Sequence, residues 1–393
     1  MSKYKYVSLG ENVEEMFIGP FGSCLKNECF VNEDEAYCMV YEQKHAIQKT
    51  MDVETRYVNE QKYNELKRFN IHGGDIIVSC RGTIGETFIV PADAPLGIMH
   101  PSIMKIRLKD GVYDKYYFNL LLMSRLKKHE AEANGSGIKM VISATELGKE
   151  LFPVPTMEEQ KEITDIISKI SYVIEKRKQE LSDLDELIKS RFVEMFGDMI
   201  LNPNGWERVM LGMICDVRDG THDSPKYYME GYPLVTSKNV TGGRIDFTDC
   251  SLICEEDYNK INQRSKVDVG DILMPMIGTV GNPVIVDIDA EFAIKNVALI
   301  KFREDAKVVN IFVKALLKSN YFDATVLSKV RGGTQKFISL GDIRKLELLL
   351  PPIGLQYQFV NFVNQVDKSK VIVQKSLDET QLLFDSLMQK YFG

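Results

Sequence analysis

Gly74-Asp75-Ile76-Ile77, followed by Gly82-Thr83-Ile84-Gly85, returns as Gly270-Asp271-Ile272-Leu273, followed by Gly278-Thr279-Val280-Gly281, at an offset of 196 residues. The same offset aligns Lys105-Ile106-Arg107 with Lys301-Phe302-Arg303, Leu120-Leu121 with Leu316-Leu317, and Ile142-Ser143 with Ile338-Ser339. Pro155 falls on Pro351, Gln160 on Gln356, and Met195-Phe196-Gly197 on Tyr391-Phe392-Gly393. One offset held over about 120 residues is a tandem duplication, not chance. Only the beginnings slip: Val7-Ser8-Leu9-Gly10 matches Val209-Met210-Leu211-Gly212 at an offset of 202. The joint, Asp198 to Trp206, carries the turn-forming run Asn202-Pro203-Asn204-Gly205.

Each copy has two regions. The first is broken by Gly and Pro and contains short β-branched runs such as Ile76-Ile77-Val78, Phe88-Ile89-Val90 and Val284-Ile285-Val286, which predict short strands. Helical leucine spacing predicts a helix over Tyr116 to Lys128 and another over Ile311 to Lys318. The second region begins after Pro153-Val154-Pro155 or Pro351-Pro352 and is free of Gly and Pro from Glu158 to Phe196 and from Leu355 to Phe392. There Ile163, Ile167, Ile170, Ile174, Leu181, Leu184, Ile188 and Met195 follow a heptad seam interrupted by Arg177 and Arg191. Phe359, Val363, Val366, Val373, Leu377, Phe384, Leu387 and Tyr391 form its counterpart. The expected fold is α+β. Two tandem globular domains, 1–156 and 198–351, are joined by two long helices, 157–197 and 352–393, that form an antiparallel coiled coil with pseudo-two-fold symmetry. The C-terminus should then return to the neighbourhood of the N-terminus.

The whole chain, 393 residues with 49 Lys+Arg against 56 Asp+Glu, has a net charge of -7. Such a balance argues against a protein that binds nucleic acid through bulk positive charge. The deficit is spread evenly: residues 1–156 and 198–351 each hold 19 basic and 21 acidic groups, so no segment is a basic arm. A hydrophobic fraction of 44% excludes disorder. The opening residues lack a signal h-region and no long apolar run occurs, which points to a cytoplasmic protein. Seven cysteines without a CxxC pair, and five histidines without HExxH spacing, point to reduced thiols and no metal site.

No GxxxxGK[ST] loop is present, and Pro351-Pro352 lacks the flanking residues of an amino-methyltransferase motif. Glu42-Gln43-Lys44 and Glu60-Gln61-Lys62 have nuclease-like spacing but no partner Asp on a preceding strand, so they read as surface charge. Binding loops are better supported than catalysis. Arg331-Gly332-Gly333-Thr334-Gln335-Lys336 combines two glycines with cations and an amide able to read base edges. Its counterpart is Asn134-Gly135-Ser136-Gly137-Ile138-Lys139. In the second copy, the donor-rich turns Gly220-Thr221-His222-Asp223-Ser224-Pro225-Lys226 and Thr236-Ser237-Lys238-Asn239 are further candidates. The corresponding stretches of the first copy read Gly19-Pro20-Phe21-Gly22-Ser23 and Tyr41-Glu42-Gln43-Lys44-His45. Candidate DNA-contacting residues are thus Lys44, His45, Arg81, Thr83, Ser136 and Lys139 in the first copy. In the second they are Thr221, His222, Ser224, Lys226, Ser237, Lys238, Asn239, Thr279, Arg331, Thr334, Gln335 and Lys336. A shared scaffold with different polar loops suits two different half-sites.

The Gly-Thr-His-x-Ser-Pro turn, Thr236-Ser237-Lys238-Asn239, the Gly270-Asp271-Ile272-Leu273 strand, Phe292-Ala293-Ile294-Lys295-Asn296-Val297-Ala298-Leu299-Ile300 and the Pro-Pro-x-x-x-Gln helix start occur in this order. In that order the chain resembles the specificity subunits of type I restriction-modification systems. The resemblance covers essentially the whole chain, in duplicate. It implies two target recognition domains that each read half of a split duplex DNA target, and spacer helices that set the gap between the halves. It implies two modification subunits as partners, with restriction subunits in a restricting complex. S-adenosylmethionine, ATP and Mg2+ would be held by those partners, with no cofactor and no catalytic residue in this chain. The first domain departs from the pattern, with Gly19-Pro20-Phe21-Gly22 where the Gly-Thr-His turn is expected. Two other readings compete: a coiled-coil adaptor with two protein-binding heads, and a self-sufficient methyltransferase.

Overall fold

The computed structural model describes residues 4–81, 83–136, 143–278, 280–326 and 337–393, with side chains throughout except at 132–136. The chain forms two compact units, one of Met1–Lys176 with Leu377–Gly393, the other of Arg177–Ser376. Both units cut across the two long helices, so each holds one globular domain together with half of each helix.

In the first unit the central sheet pairs Val13–Ile18, Ile103–Leu108, Ile76–Ser79 and Thr87–Ile89 in that order, all antiparallel. Side chains alternate across a strand. Ile76, Val78, Met104 and Ile106 therefore face the helix Lys115–Ser136 through Tyr117, Phe118, Leu121 and Leu122, while Ile77 and Ile103 point into a second core. That second core is closed by a smaller sheet in which Cys38–Tyr41 runs parallel to Gly97–Met99. The inner strand Ile76–Ser79 is buried at every position, which is why it reads as a short hydrophobic run.

The second unit repeats the plan. Asp216–Asp219, Val297–Lys301, Ile272–Pro275 and Val284–Ile285 form the sheet. Ile272, Met274, Ala298 and Ile300 face the helix Asn310–Leu317, and Leu273, Val297 and Leu299 face the other core. The duplicated Gly-Asp step has the same role in both. Asp75 accepts from His72 N at 2.8 Å and is gripped by Arg107. Asp271 accepts from Asp268 N at 2.8 Å and is gripped by Lys301.

The helix starts are locked by one buried residue each. The Gln160 amide accepts from Asp114 N (2.8 Å) and donates to Val112 O (3.0 Å) and Pro155 O (2.9 Å). Gln356 makes the equivalent set with Val309 N (3.0 Å), Lys307 O (3.0 Å) and Pro351 O (2.9 Å). Both are 0% exposed, so no water substitutes for these bonds. The helices themselves are Met157–Phe196 and Ile353–Phe392, 40 residues each, or about 60 Å at 1.5 Å per residue.

In the second unit Phe359 packs on Phe192 and Phe196, and Lys370 bonds Asp185 at 2.6 Å. The two helices therefore run antiparallel. In the first unit Ile163 and Ile167 share a core with Phe384, Leu387, Met388, Tyr391 and Phe392. The Phe392 ring packs at a tilt on Tyr117, and its carbonyl accepts from Ser124 Oγ, so the C-terminus packs against the first domain.

Two sequence expectations need adjustment. The first domain helix spans Lys115–Ser136, longer than the leucine spacing suggested. Near its end, the first long helix buries Phe192 (3% exposed) and Phe196 (0%) beside the expected seam positions 191 and 195. A straight helix of 3.6 residues per turn drifts off a 3.5-residue repeat, and here the stripe turns onto Phe312 of the domain. Arg191 remains at the seam with its guanidinium over the Phe362 ring, 5.6 Å from the centroid.

Replacing Gln356 with Ala leaves one N–H and two C=O groups buried without partners. Urea unfolding monitored by circular dichroism should show a loss of about 3 kcal/mol, with a similar loss for Gln160→Ala. A change under about 0.5 kcal/mol would be the size of an ordinary surface substitution and would show that neither amide locks its helix.

Candidate nucleic-acid interface

In the second unit the strand Asp216–Asp219 ends at Gly220, whose N donates to Val297 O at 3.1 Å. A Cβ on Gly220 would lie 2.1 Å from Ile294 O, so only glycine fits. The turn that follows is tied to residues about 74 positions away by hydrogen bonds. His222 is exposed, with Nδ1 2.8 Å from Asn296 Oδ1 and Nε2 2.9 Å from Asp219 Oδ2. An ionised carboxylate only accepts, so Nε2 carries a proton. The bond to Asn296, and then the bond to Asp219, raise the imidazole above its ordinary pKa. Asp219 is nearly buried and also holds Arg264 from the helix Glu255–Ser265. Asn296 takes a left-handed backbone (φ 55°), and its carbonyl accepts from Ser237 Oγ at 3.2 Å. Lys295 Nζ donates to Ser224 Oγ at 2.6 Å, and Lys226 lies over the Tyr228 ring.

Thus Thr221, His222, Ser224 and Ser237, chosen from two separate stretches, are joined by Lys295-Asn296, and Lys226 and Lys238 lie exposed in the same stretches. Lys295, Asn296, Asp219 and Arg264 were missed as site residues. The signal for the first two was present in the Ala293-Ile294-Lys295-Asn296 run, whereas Arg264 lies in a helix with no distinguishing motif.

In the first unit Gly19 N donates to Ile103 O at 3.0 Å, and a Cβ there would lie 2.2 Å from His100 O. His100 is held below its usual pKa by burial, and its charged neighbours are Glu42, Arg56, Arg81 and Lys44. Lys44 pairs with Glu42 at 3.0 Å and is half-buried, while Arg81 and Thr83 are exposed. Arg56 and His100 were not foreseen.

Two expected contact residues are corrected. His45 is 0% exposed and Asn239 is 4% exposed. Each closes a capping box at the start of a short helical turn: His45 Nδ1 accepts from Glu42 N (3.0 Å), and Asn239 Oδ1 accepts from Thr236 N (3.0 Å). These side chains shape the loop from beneath and do not face solvent. Lys139, Thr279, Arg331, Thr334, Gln335 and Lys336 lie outside the described residues, as does the side chain of Ser136. Among the described residues no group of His, Cys, Asp and Glu could hold a metal ion, and no helix is long and apolar enough to cross a membrane.

The family described as the type I restriction modification DNA specificity domain matches the chain twice, over residues 11–184 and 203–380. The chain belongs to this family. It is a non-catalytic specificity subunit of the type I restriction-modification class, a part that supplies DNA sequence preference to a larger complex. Among curated relatives, the type I restriction enzyme EcoBI specificity subunit of Escherichia coli is 22% identical over 353 residues, covering 82% of this chain and 73% of the relative. The MjaVIII specificity subunit of Methanocaldococcus jannaschii is 23% identical over 340 residues, covering 80% and 77%. The fold is shared with the S subunit of a type I system from M. genitalium (TM-score 0.53, 16% identity, 100% of this chain and 97% of that one). It is shared also with a chain from a structure of type I complex assembly (TM-score 0.57, 17% identity, 99% and 97%).

The His222 arrangement has a pH consequence. Its raised folded pKa means that the stabilising contacts are fully present below the unfolded value of about 6.5 and are lost as pH rises through the folded pKa. The same proton adds a cation to the turn, so DNA affinity should fall as pH rises through that range, measured by anisotropy at constant salt. His222→Gln should flatten the profile; an unchanged slope in the variant would remove His222 from the interface.

Proposed function

We propose that each globular domain reads one half of a bipartite duplex DNA target. The two long helices set the gap between the halves and dock two modification subunits, with restriction subunits added in a restricting complex. S-adenosylmethionine, ATP and Mg2+ act on those partners, and the complex works in the cytoplasm. The observation that supports this reading best is the pair of equivalent turns. Gly19 and Gly220 end equivalent strands on equivalent hydrogen bonds, yet the side chains beyond them differ. A common scaffold with different exposed residues suits two different half-sites, and would not be needed for a palindrome. The exposed Lys226, Lys238 and the half-buried Lys295 supply phosphate contacts.

Exchanging residues 1–156 for the matching domain of another family member should change one half-site only, read by methylation sequencing of a host carrying the complex. A change in both halves would refute modular reading. Inserting a heptad into each long helix adds about 10 Å and should lengthen the gap by about 3 base pairs without altering either half. A gap that stayed the same would mean that the helices are not the ruler. Lys295→Ala should weaken binding to all sequences alike and reduce the salt slope by about 1.

A further inference from the structure

The turn after the first sheet strand differs between the units at one matched pair of side chains. The ladders end on Ile18 opposite Met104 and on Asp219 opposite Ala298, so Ile18 stands where the second unit has Asp219. Two residues beyond the crowded glycines, Phe21 stands where the second unit has His222. The acid that orients the imidazole and the imidazole itself are thus both replaced, together, by apolar residues. A single exposed apolar residue on a protein surface is ordinary. Phe21 differs because it is 85% exposed at the position of a clamped polar residue. It also follows a glycine packed on His100, whose charged neighbours include Glu42, Arg56, Arg81 and Lys44. Glu42 is already engaged by Arg56 and Lys44, and Arg81 is exposed, so this group of side chains carries net positive charge. A phosphate backbone fits that charge.

A phenyl ring neither donates nor accepts a hydrogen bond. The apolar group that a base pair offers in the major groove is the thymine C5-methyl. We propose that Phe21 is a specificity-determining residue of the first domain and reads the methyl group of a thymine in its half-site. The inference rests on the half-site reading above and names the chemistry of one of its contacts.

The test uses the full chain assembled with its modification subunit and the target identified for that complex. Each thymine in both half-sites is replaced in turn by deoxyuridine, which removes only the methyl group, and affinity is measured for wild type and Phe21→Ala. Wild type should lose about fourfold at one position of the first half-site, the worth of one buried methyl. Phe21→Ala should bind the thymine and deoxyuridine duplexes equally at that position. The unchanged response of the second half-site in the variant reports that the protein is folded. The proposal is overturned if no deoxyuridine effect in the first half-site depends on Phe21. It is overturned equally if Phe21→Ala loses the same factor on every duplex, as a stacking wedge without readout would. Failure of the underlying reading looks different: wild type would then show no sequence preference at all.

Discussion

Two buried side-chain amides hold the architecture together. Gln160 and Gln356 each satisfy three backbone groups that belong to two different pieces of chain, the proline step before the long helix and the segment leading into the domain helix. In a water-free site every such bond is obligatory, because an unmade one costs the full desolvation of the group. The consequence is directional. A helix start tied at three points cannot swivel on its domain, so the direction in which the helix leaves is a property of the domain core. A spacer can measure distance only if its ends are held in this way.

Above that lock, each domain is a sheet buried on both faces. Burial fixes register, since a one-residue slip would exchange the two cores. Register in turn brings the strand ending at Asp219 beside the turn at Lys295-Asn296, and the strand ending at Ile18 beside the turn at His100. Capping boxes under the neighbouring loop, Glu42 with His45 and Thr236 with Asn239, stiffen it from below. Beyond these strands the two copies diverge, which is how one scaffold can present a hydrogen-bonded imidazole in one copy and a bare ring in the other.

The net charge of -7 fits this arrangement. Cations are placed singly: Lys295 against Ser224, Lys226 over Tyr228, and Arg264 spent on Asp219 to hold His222 in place. A chain without a basic arm has few cations to place against phosphates.

By itself the sequence determined the duplication, the α+β class and the two long helices, because repeats and heptads are local and periodic and survive without knowledge of packing. It also marked the turns at Gly220 and Thr236 through their composition. Only the tertiary structure decided what those turns do. It buried His45 and Asn239 in capping boxes, turned the helix stripe onto Phe192 and Phe196, and joined His222 to Asp219 and Asn296. It also showed Phe21 to be the counterpart of His222. The last two depend on strands that pair across scores of residues. That pairing is chosen by the burial of both sheet faces at once, a condition that no short stretch of sequence expresses.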